Sequence, residues 1–170
     1  KKRTPVQILL MGQGGSGKTA LIQEIVLPAI DFLFPPEETN GRRSALIACA
    51  KWSQAENISS GVHKAISCHR ASAMGIGSHR NREMVPPAEK RSLLEKTWGH
   101  LKLLVLEEVS MISPNLYNML LYRAFQGRRE QCEVQEADYL TRACAFGRLP
   151  IVIHLGDFLQ QKPTGSGLSL

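Results

Sequence analysis

The sequence predicts an α/β fold, a mostly parallel sheet flanked by helices. Short apolar runs at residues 6–11, 45–49, 101–106 and 150–155 have the length and composition of strands that are buried on both faces. Segments with helical spacing lie between these runs, and strands that alternate with helices favour a parallel sheet. Such sheets bind ligands at the carboxyl ends of their strands, so the residues that follow each run are the candidate functional residues.

Helical segments are predicted at residues 21–33, 88–98 and 114–125. In the first, Pro28 is expected to kink or end the helix, and Pro35 with Pro36 stops the pattern. Ser113 is a predicted N-cap for the third, which Gly127 can close. Residues 128–147 are ambiguous and are interpreted as a charged helical excursion. The apolar face predicted for the first helix comprises Leu21, Ile22, Ile25, Val26, Ala29, Ile30 and Leu33.

Composition places the chain among globular domains. Its 170 residues are 43% hydrophobic and 21% charged, which predicts a single domain over residues 1–170. No apolar stretch approaches the roughly 18 residues that a membrane span needs, so we expect no membrane partner. The four cysteines form no C-x-x-C pair, which argues against a disulfide framework or a zinc site and favours an intracellular, reducing compartment.

Net charge is concentrated in one segment. The chain carries +6 overall, and residues 61–100 hold seven basic and three acidic side chains, or +4 of that excess. The same segment holds four of the five histidines. Two interpretations remain open, a surface that faces a polyanion and a solvated loop.

A phosphate-binding loop follows the first predicted strand. Gly12-Gln13-Gly14-Gly15-Ser16-Gly17-Lys18-Thr19 satisfies G-x-x-x-x-G-K-[ST] between a strand and a helix. Glycines let successive backbone N–H groups surround phosphate oxygens, and the helix directs its positive end at the same anion. We therefore expect Lys18 to reach the β- and γ-phosphates of ATP and the Thr19 hydroxyl to bind Mg²⁺.

Two further strand ends carry acidic side chains. The third strand leads into Glu107 and Glu108, and phosphoryl transfer needs one carboxylate near magnesium and another group to orient the attacking water. Glu107 suits the first role and Glu108 the second. The fourth strand leads into Gly156-Asp157-Phe158-Leu159-Gln160, which adds an acid and an amide at the same edge of the sheet.

Together these motifs resemble the Pif-type and RecD-like helicases of superfamily one. Gly-Asp-x-x-Gln after a strand, Glu-Val-Ser-Met after the preceding strand and the upstream P-loop carry the resemblance, which covers about residues 5–163. It implies the first RecA-like P-loop NTPase domain of an ATP-dependent DNA helicase that moves 5′ to 3′ on single-stranded DNA. It also implies that Gln160 senses the γ-phosphate, with Asp157 beside it.

The family's DNA-contacting motif is partly present. Ala55, Asn57 and Ile58 match its Ala-Ala-x-Asn-Ile run, and Gly61-Val62-His63 resembles Gly-x-Thr-x-His with residues missing. By this resemblance the DNA-contact candidates are Lys51, Asn57, His63 and Lys64. Trp52 is interpreted either as a base-stacking residue or, preferentially, as a packing residue.

The chain departs from the family pattern at three points. Glu107 stands where the family has aspartate, so the carboxylate beside the metal is one methylene longer. Gln161-Lys162-Pro163 replaces Leu-Pro-Pro. The second RecA-like domain, which supplies arginines to the ATP site in the family, is expected to be missing from this chain, so we expect weak turnover by the piece alone.

Other functions match fewer of these residues. A GTPase would need an Asn-Lys-x-Asp motif to recognise the guanine base, and the sequence lacks this motif. A nucleotide kinase explains the P-loop but leaves Asp157 and Gln160 without a role. A degenerate helicase remnant that binds nucleotide or nucleic acid without turnover stays open, because of Glu107 and the missing domain.

Overall fold

A computed structural model describes residues 5–35, 41–59, 63–74, 88–131, 141 and 144–157. These ranges form one sheet of five strands, β1 (Val6–Met11), β2 (Ala45–Cys49), β3 (Ala65–Ser67), β4 (Leu103–Glu107) and β5 (Ile151–Gly156). The strand order is β1-β5-β4-β2-β3, and every pairing between neighbours is parallel. The predicted parallel α/β fold is confirmed.

Helices cover both faces of the sheet. They are α1 (Lys18–Leu21), α2 (Leu27–Leu33), α3 (Trp52–Ile58), α4 (Cys68–Ala71), α5 (Ala88–Trp98), α6 (Pro114–Gly127) and the short turn α7 (Ala145–Arg148). One core joins the sheet to the helices after β1 and to α3, and a second core joins its other face to α4 through α7. Within the described ranges, no helix has both the length and the apolar composition to cross a bilayer.

The helix after β1 changes its hydrogen-bond register before Pro28. A π-helical stretch, Ile22–Val26, joins α1 to α2, and the Leu27 N–H donates to Ile22 O. Proline has no N–H to donate to the carbonyl four residues earlier, so a wider turn lets the helix continue. Pro28 was expected either to kink or to end the helix, and the helix continues past it.

This register change also alters the predicted apolar face. Ile22, Leu27 and Ile30 are buried, whereas Leu21, Ile25 and Leu33 are exposed. Residues five apart lie about 140° apart around a regular α-helix, but a π-turn brings Ile22 and Leu27 to the same side. The expectation that Leu21, Ile25 and Leu33 face the core was therefore wrong, because it assumed 3.6 residues per turn throughout.

The start of α6 is as predicted. Ser113 is its N-cap, with Oγ accepting a hydrogen bond from the Leu116 N–H at 3.3 Å, and Pro114 is the first helical residue. At the other end, Gly127 packs against α5 so closely that an added Cβ would lie 2.6 Å from Leu94 O. Only glycine permits this approach of the two helices.

Part of the basic middle segment belongs to the sheet. Residues 65–67 form β3 and residues 68–71 form α4, and Ala65, Cys68 and Ala71 are buried. Sequence periodicity did not predict these two elements, because three or four residues are too few to show a period. Most of residues 128–147, at 132–140, 142 and 143, lie outside the described residues.

Candidate nucleotide site

Two glycines give the loop between β1 and α1 its shape. Gly15 and Gly17 have φ of 77° and 81°, in the left-handed region that favours glycine. Gly17 is the N-cap of α1, so the chain enters the helix directly from this conformation. The loop is tied to the sheet by the Gly12 N–H, which donates to Gly156 O at 3.2 Å.

Lys18 folds back over this loop. Its Nζ donates to Gly12 O at 2.6 Å and to Gln13 O at 2.9 Å, and it lies 3.3 Å from Ser16 Oγ. The ammonium group therefore lies against the carbonyl oxygens of the loop. A phosphate placed there would offer Lys18 a charged acceptor instead of neutral carbonyls.

Thr19 and Glu107 meet across the sheet edge. The Thr19 hydroxyl donates to Glu107 Oε1 at 2.8 Å, although 88 positions separate the two residues in the sequence. Glu107 is 7% exposed, and within the described part of the chain its Oε2 is buried without a hydrogen-bond partner. Hydroxyl and carboxylate oxygens are the ligands Mg²⁺ prefers, and a buried carboxylate oxygen without a donor fits a cation site.

Burial raises the pKa of the Glu107 carboxyl. The hydrogen bond from Thr19 opposes that shift, Glu108 adds to it, and Lys18 opposes it. The carboxylate is therefore held in an environment that disfavours its charge, and a nearby cation would relieve this penalty.

Glu108 has a left-handed backbone conformation, with φ 55° and ψ 48°. It follows β4 directly and is the N-cap of a 3₁₀ turn, Val109–Met111, and its carbonyl accepts from the Met111 N–H at 2.8 Å. A non-glycine residue in this region costs about 1–3 kcal/mol and is kept where the surrounding structure enforces it. Its side chain is half-buried, at the same strand end as Glu107.

Asp157 links the end of β5 to the phosphate-binding loop. It is 8% exposed, and its Oδ2 accepts a hydrogen bond from the Gly14 N–H at 3.0 Å. Lys18, Thr19, Glu107 and Asp157 thus come together at the carboxyl ends of β1, β4 and β5. Gln160 lies outside the described residues.

Sequence patterns gave no signal for two features of this edge. The left-handed conformation of Glu108 has none, since glutamate is not a residue that favours it. Cys49 ends β2 in register with Glu107, and burial, with Glu107 and Glu108 contributing, raises its pKa to about 12. Its thiol is therefore protonated and unreactive at neutral pH.

The DNA-contact candidates have different surroundings. Lys51 and Lys64 are exposed, and the side chain of Asn57 lies outside the described part of the chain. His63 is 8% exposed and its Nε2 lies 2.9 Å from Asp31 Oδ2, so its ring packs inside the protein. This geometry does not favour a DNA contact by His63.

Trp52 lies on the surface, 51% exposed, and the preferred packing interpretation was wrong. It is the first residue of α3, and its indole N–H donates to Glu56 Oε1 at 2.9 Å on the same exposed helix face. The Arg70 guanidinium lies 6.0 Å from the centroid of its ring. An exposed indole beside a guanidinium is a surface on which a nucleic-acid base can stack.

Comparison with known proteins agrees with the motifs. The chain is 26% identical over 163 residues to the ATP-dependent DNA helicase RRM3 of Saccharomyces cerevisiae and 27% identical over 164 residues to the ATP-dependent DNA helicase PIF1 of Emericella nidulans. The relatives of this chain are Pif1 and RRM3 helicases. These alignments cover 96% and 94% of the chain but only 19% and 18% of the relatives, so it spans about a fifth of their length. No protein-family model matches the chain.

Solved structures of Pif1 helicases share the fold. The Pif1 helicase of Candida albicans superposes with a TM-score of 0.67 at 21% identity, over 94% of this chain and 30% of that one. A Bacteroides Pif1 in complex with ADP-AlF4 gives a TM-score of 0.58 at 17% identity, over 96% and 30%. The resemblance to a Pif-type RecA-like domain is thus confirmed at the level of fold.

Proposed function

We propose that this chain binds ATP with Mg²⁺ and is the first motor domain of a DNA helicase that hydrolyses ATP to move 5′ to 3′ along single-stranded DNA. The Thr19 to Glu107 hydrogen bond carries the proposal, because it joins the end of the phosphate-binding loop to the acidic end of β4. A chance glycine-rich turn would have no reason to meet a buried carboxylate there.

Each residue has a distinct role in this proposal. Lys18 and the loop N–H groups hold the β- and γ-phosphates, and Thr19 with Glu107 holds Mg²⁺, which neutralises charge on the phosphate oxygens when bound. Glu108 orients the attacking water. Gln160 is assigned to γ-phosphate sensing by resemblance alone.

Binding by the chain should exceed its turnover. The relatives are about five times as long, and a trans-acting arginine in phosphoryl transfer contributes about 10³ to 10⁵ in rate. We therefore propose that rapid hydrolysis needs a second RecA-like domain.

Calorimetry of ATP binding by the 170-residue chain tests the loop assignment. Lys18→Ala should abolish measurable ATP binding, since it removes the positive charge that lies against the loop carbonyls. Lys64→Ala is the matched control, because Lys64 is exposed and lies outside the loop, and it should bind ATP as the wild type does. Equal affinities of Lys18→Ala and wild type would remove the assignment.

Hydrolysis tests the role of Glu108. In the full-length parent, Glu108→Gln should keep ATP binding and lose steady-state hydrolysis, because the amide cannot accept a proton from water. Normal hydrolysis by this variant would exclude Glu108 as the water-orienting group. A wild-type parent that binds ATP but does not hydrolyse it would instead favour the remnant, in which the longer arm of Glu107 spoils the metal geometry.

The DNA part of the proposal rests on the exposed surface around α3. Three cations, Lys51, Lys64 and Arg70, are exposed there together with Trp52. Phosphate contacts by such cations make binding fall steeply with salt. Anisotropy titrations with single-stranded DNA should show binding at low salt that Trp52→Ala weakens by about 1–3 kcal/mol if a base stacks on the ring. Absence of DNA binding by the full-length parent at low salt would favour a nucleotide-hydrolysing enzyme that does not act on DNA.

A further inference from the structure

Helix α3 buries little apolar surface. It has seven residues, and a helix of that length is not stable by itself in water. Of its described side chains, Ala55 alone is buried, and Ile58 packs partly against the same core. A helix with so few apolar contacts is easily displaced, so its polar contacts determine where it lies.

Gln54 links the start of α3 to the turn that follows β4. Its Nε2 donates a hydrogen bond to Met111 Sδ at 3.2 Å, and its Oε1 accepts one from the Lys51 N–H at 3.2 Å. Met111 ends the 3₁₀ turn that Glu108 caps, and its N–H donates to Glu108 O. One side chain therefore connects the first turn of α3 with the strand end that carries the two glutamates.

Gln23 links the end of α3 to the helical segment that follows the phosphate-binding loop. Its Nε2 donates to Ile58 O at 2.7 Å, across 35 positions in the sequence. Ile58 is the last residue of α3, and carbonyl groups in the last turn of a helix have no partner within it. Gln23 lies in the π-helical stretch Ile22–Val26, and π-turns are frequent at functional sites. Both ends of α3 are thus tied to elements of the candidate nucleotide site.

The link made by Gln54 is particular to this chain. The Ala-Ala-x-Asn-Ile run of the helicase family has alanine at the position of Gln54. An alanine side chain has no group that could donate to Met111 Sδ, so the resemblance does not imply this contact. Gln54→Ala removes the link and keeps a residue that favours helix.

We propose that Gln23 and Gln54 are positioning residues that let nucleotide binding fix α3, so that a DNA single strand binds the surface at Lys51 and Trp52 more tightly when ATP is present. This coupling rests on the proposed function, which supplies both ligands. Neither glutamine contacts a ligand in it, and both act through the position of α3.

The anchors of α3 lie close to the junction of Thr19 and Glu107. A single hydrogen bond between these two residues joins α1 to the end of β4. Gln23 follows Thr19 by four positions, and Met111 follows Glu107 by four. A ligand held by both Thr19 and Glu107 would join the two elements more firmly, which leaves fewer positions for a helix that is tied to both.

The size of the effect follows from the cost of ordering α3. A helix already fixed in its binding position loses less conformational freedom when a strand binds. Coupling between two sites commonly changes affinity by about 5- to 150-fold, and two side-chain hydrogen bonds place this case at the low end, about fivefold. Because coupling is reciprocal, the strand should raise the affinity for ATP by the same factor.

Amide hydrogen exchange at residues 55–59 tests the link to nucleotide without DNA. Saturating ATP with Mg²⁺ should slow exchange about fivefold in the wild-type 170-residue chain, and less than about twofold in the double variant Gln23→Ala, Gln54→Ala. Gln54→Ala alone should respond to an intermediate extent, which provides a second variant if the double one is unstable. Ser53→Ala is the matched control, because Ser53 is exposed on the same helix, and it should respond as the wild type does.

Anisotropy titrations with a labelled single strand test the effect on DNA. The ratio of the Kd without ATP to the Kd with ATP and Mg²⁺ should be about 5 in the wild type and near 1 in the double variant. If the glutamines only stabilised α3, the double variant would bind the strand more weakly and keep the wild-type ratio. That result would overturn the proposal.

Calorimetry of ATP binding in the same samples separates the possible failures. ATP that binds without slowing exchange in the wild type, or that slows it equally in the double variant, would overturn the coupling and leave the nucleotide site intact. Absence of strand binding with and without ATP would also overturn the coupling, again with the nucleotide site intact. Absence of ATP binding would overturn the proposed function and the coupling together.

Discussion

Replacing Glu107 with glutamine should stabilise the nucleotide-free chain. The carboxyl is 7% exposed, and its Oε2 is buried without a hydrogen-bond partner among the described residues. Leaving a buried polar group unsatisfied costs about 1–3 kcal/mol, and more when it is charged. Glutamine is neutral and can still accept the Thr19 hydrogen bond. We expect a gain of about 1 kcal/mol, which corresponds to about 2–4 °C in Tm for a domain of this size.

The pH dependence of this gain follows from the direction of the pKa shift. Burial raises the folded-state pKa of Glu107 above its unfolded value. The penalty for the ionised carboxylate is therefore present above the folded pKa and disappears as the pH falls below the unfolded pKa, near 4.3. The Tm advantage of Glu107→Gln should be largest at neutral pH and should shrink as the medium is acidified.

Differential scanning calorimetry at pH 7.5 and at stepwise lower pH measures both effects. Glu108→Gln is the matched control, since it removes the same charge from the neighbouring, half-buried side chain and should change Tm by less. A Tm for Glu107→Gln at or below the wild-type value would refute the reasoning, as would an equal rise in the control. With Mg²⁺ and ATP added, the wild type should gain stability and Glu107→Gln should gain less, because the cation no longer meets a carboxylate.

Two further substitutions probe the supporting structure. Arg128 donates to the carbonyls of Gly147, Trp98 and Leu101 at 2.9, 2.7 and 2.9 Å. Arg128→Lys should therefore lower the free energy of unfolding, measured by urea titration, by about 2–3 kcal/mol, whereas Arg129→Lys on the surface should change it little. Equal effects of the two substitutions would contradict this role of Arg128. Glu108→Gly should be about 1 kcal/mol more stable than Glu108→Ala, because only glycine adopts φ 55° without strain, and a more stable alanine variant would show that the conformation carries no penalty.

Local chemistry made the P-loop and the main strands predictable. Gly12 to Thr19 follows an apolar run and precedes a helical pattern, and each of these signals is complete within a few residues. The first two predicted strands have the same bounds in the structure, and the third shifts to Leu103–Glu107. That shift arises because the Leu101 N–H still donates to Trp98 O at the end of α5, which single-sequence patterning does not reveal.

Features set by distant contacts were not predictable. The π-helical turn depends on the N–H that Pro28 lacks and on which residues the sheet buries, so the 3.6-residue period misplaced Leu21 and Ile25. The burial of His63 against Asp31 depends on a contact across 32 positions, of which the sequence motif carries no sign. Residue type indicated the chemistry of these groups, whereas their partners followed only from the tertiary structure.

The end of β4 combines two features that weaken the nucleotide-free fold. Glu107 buries an ionisable group, and Glu108 holds a left-handed backbone. Glu107 ends and Glu108 directly follows the most buried strand of the sheet, whose residues Leu103–Leu106 are at most 1% exposed and which pairs on both sides. A strand fixed by so many neighbours can hold a costly conformation that an edge strand would relax. Under the proposed function, the two glutamates at this edge serve binding and chemistry at a cost in stability of the nucleotide-free fold.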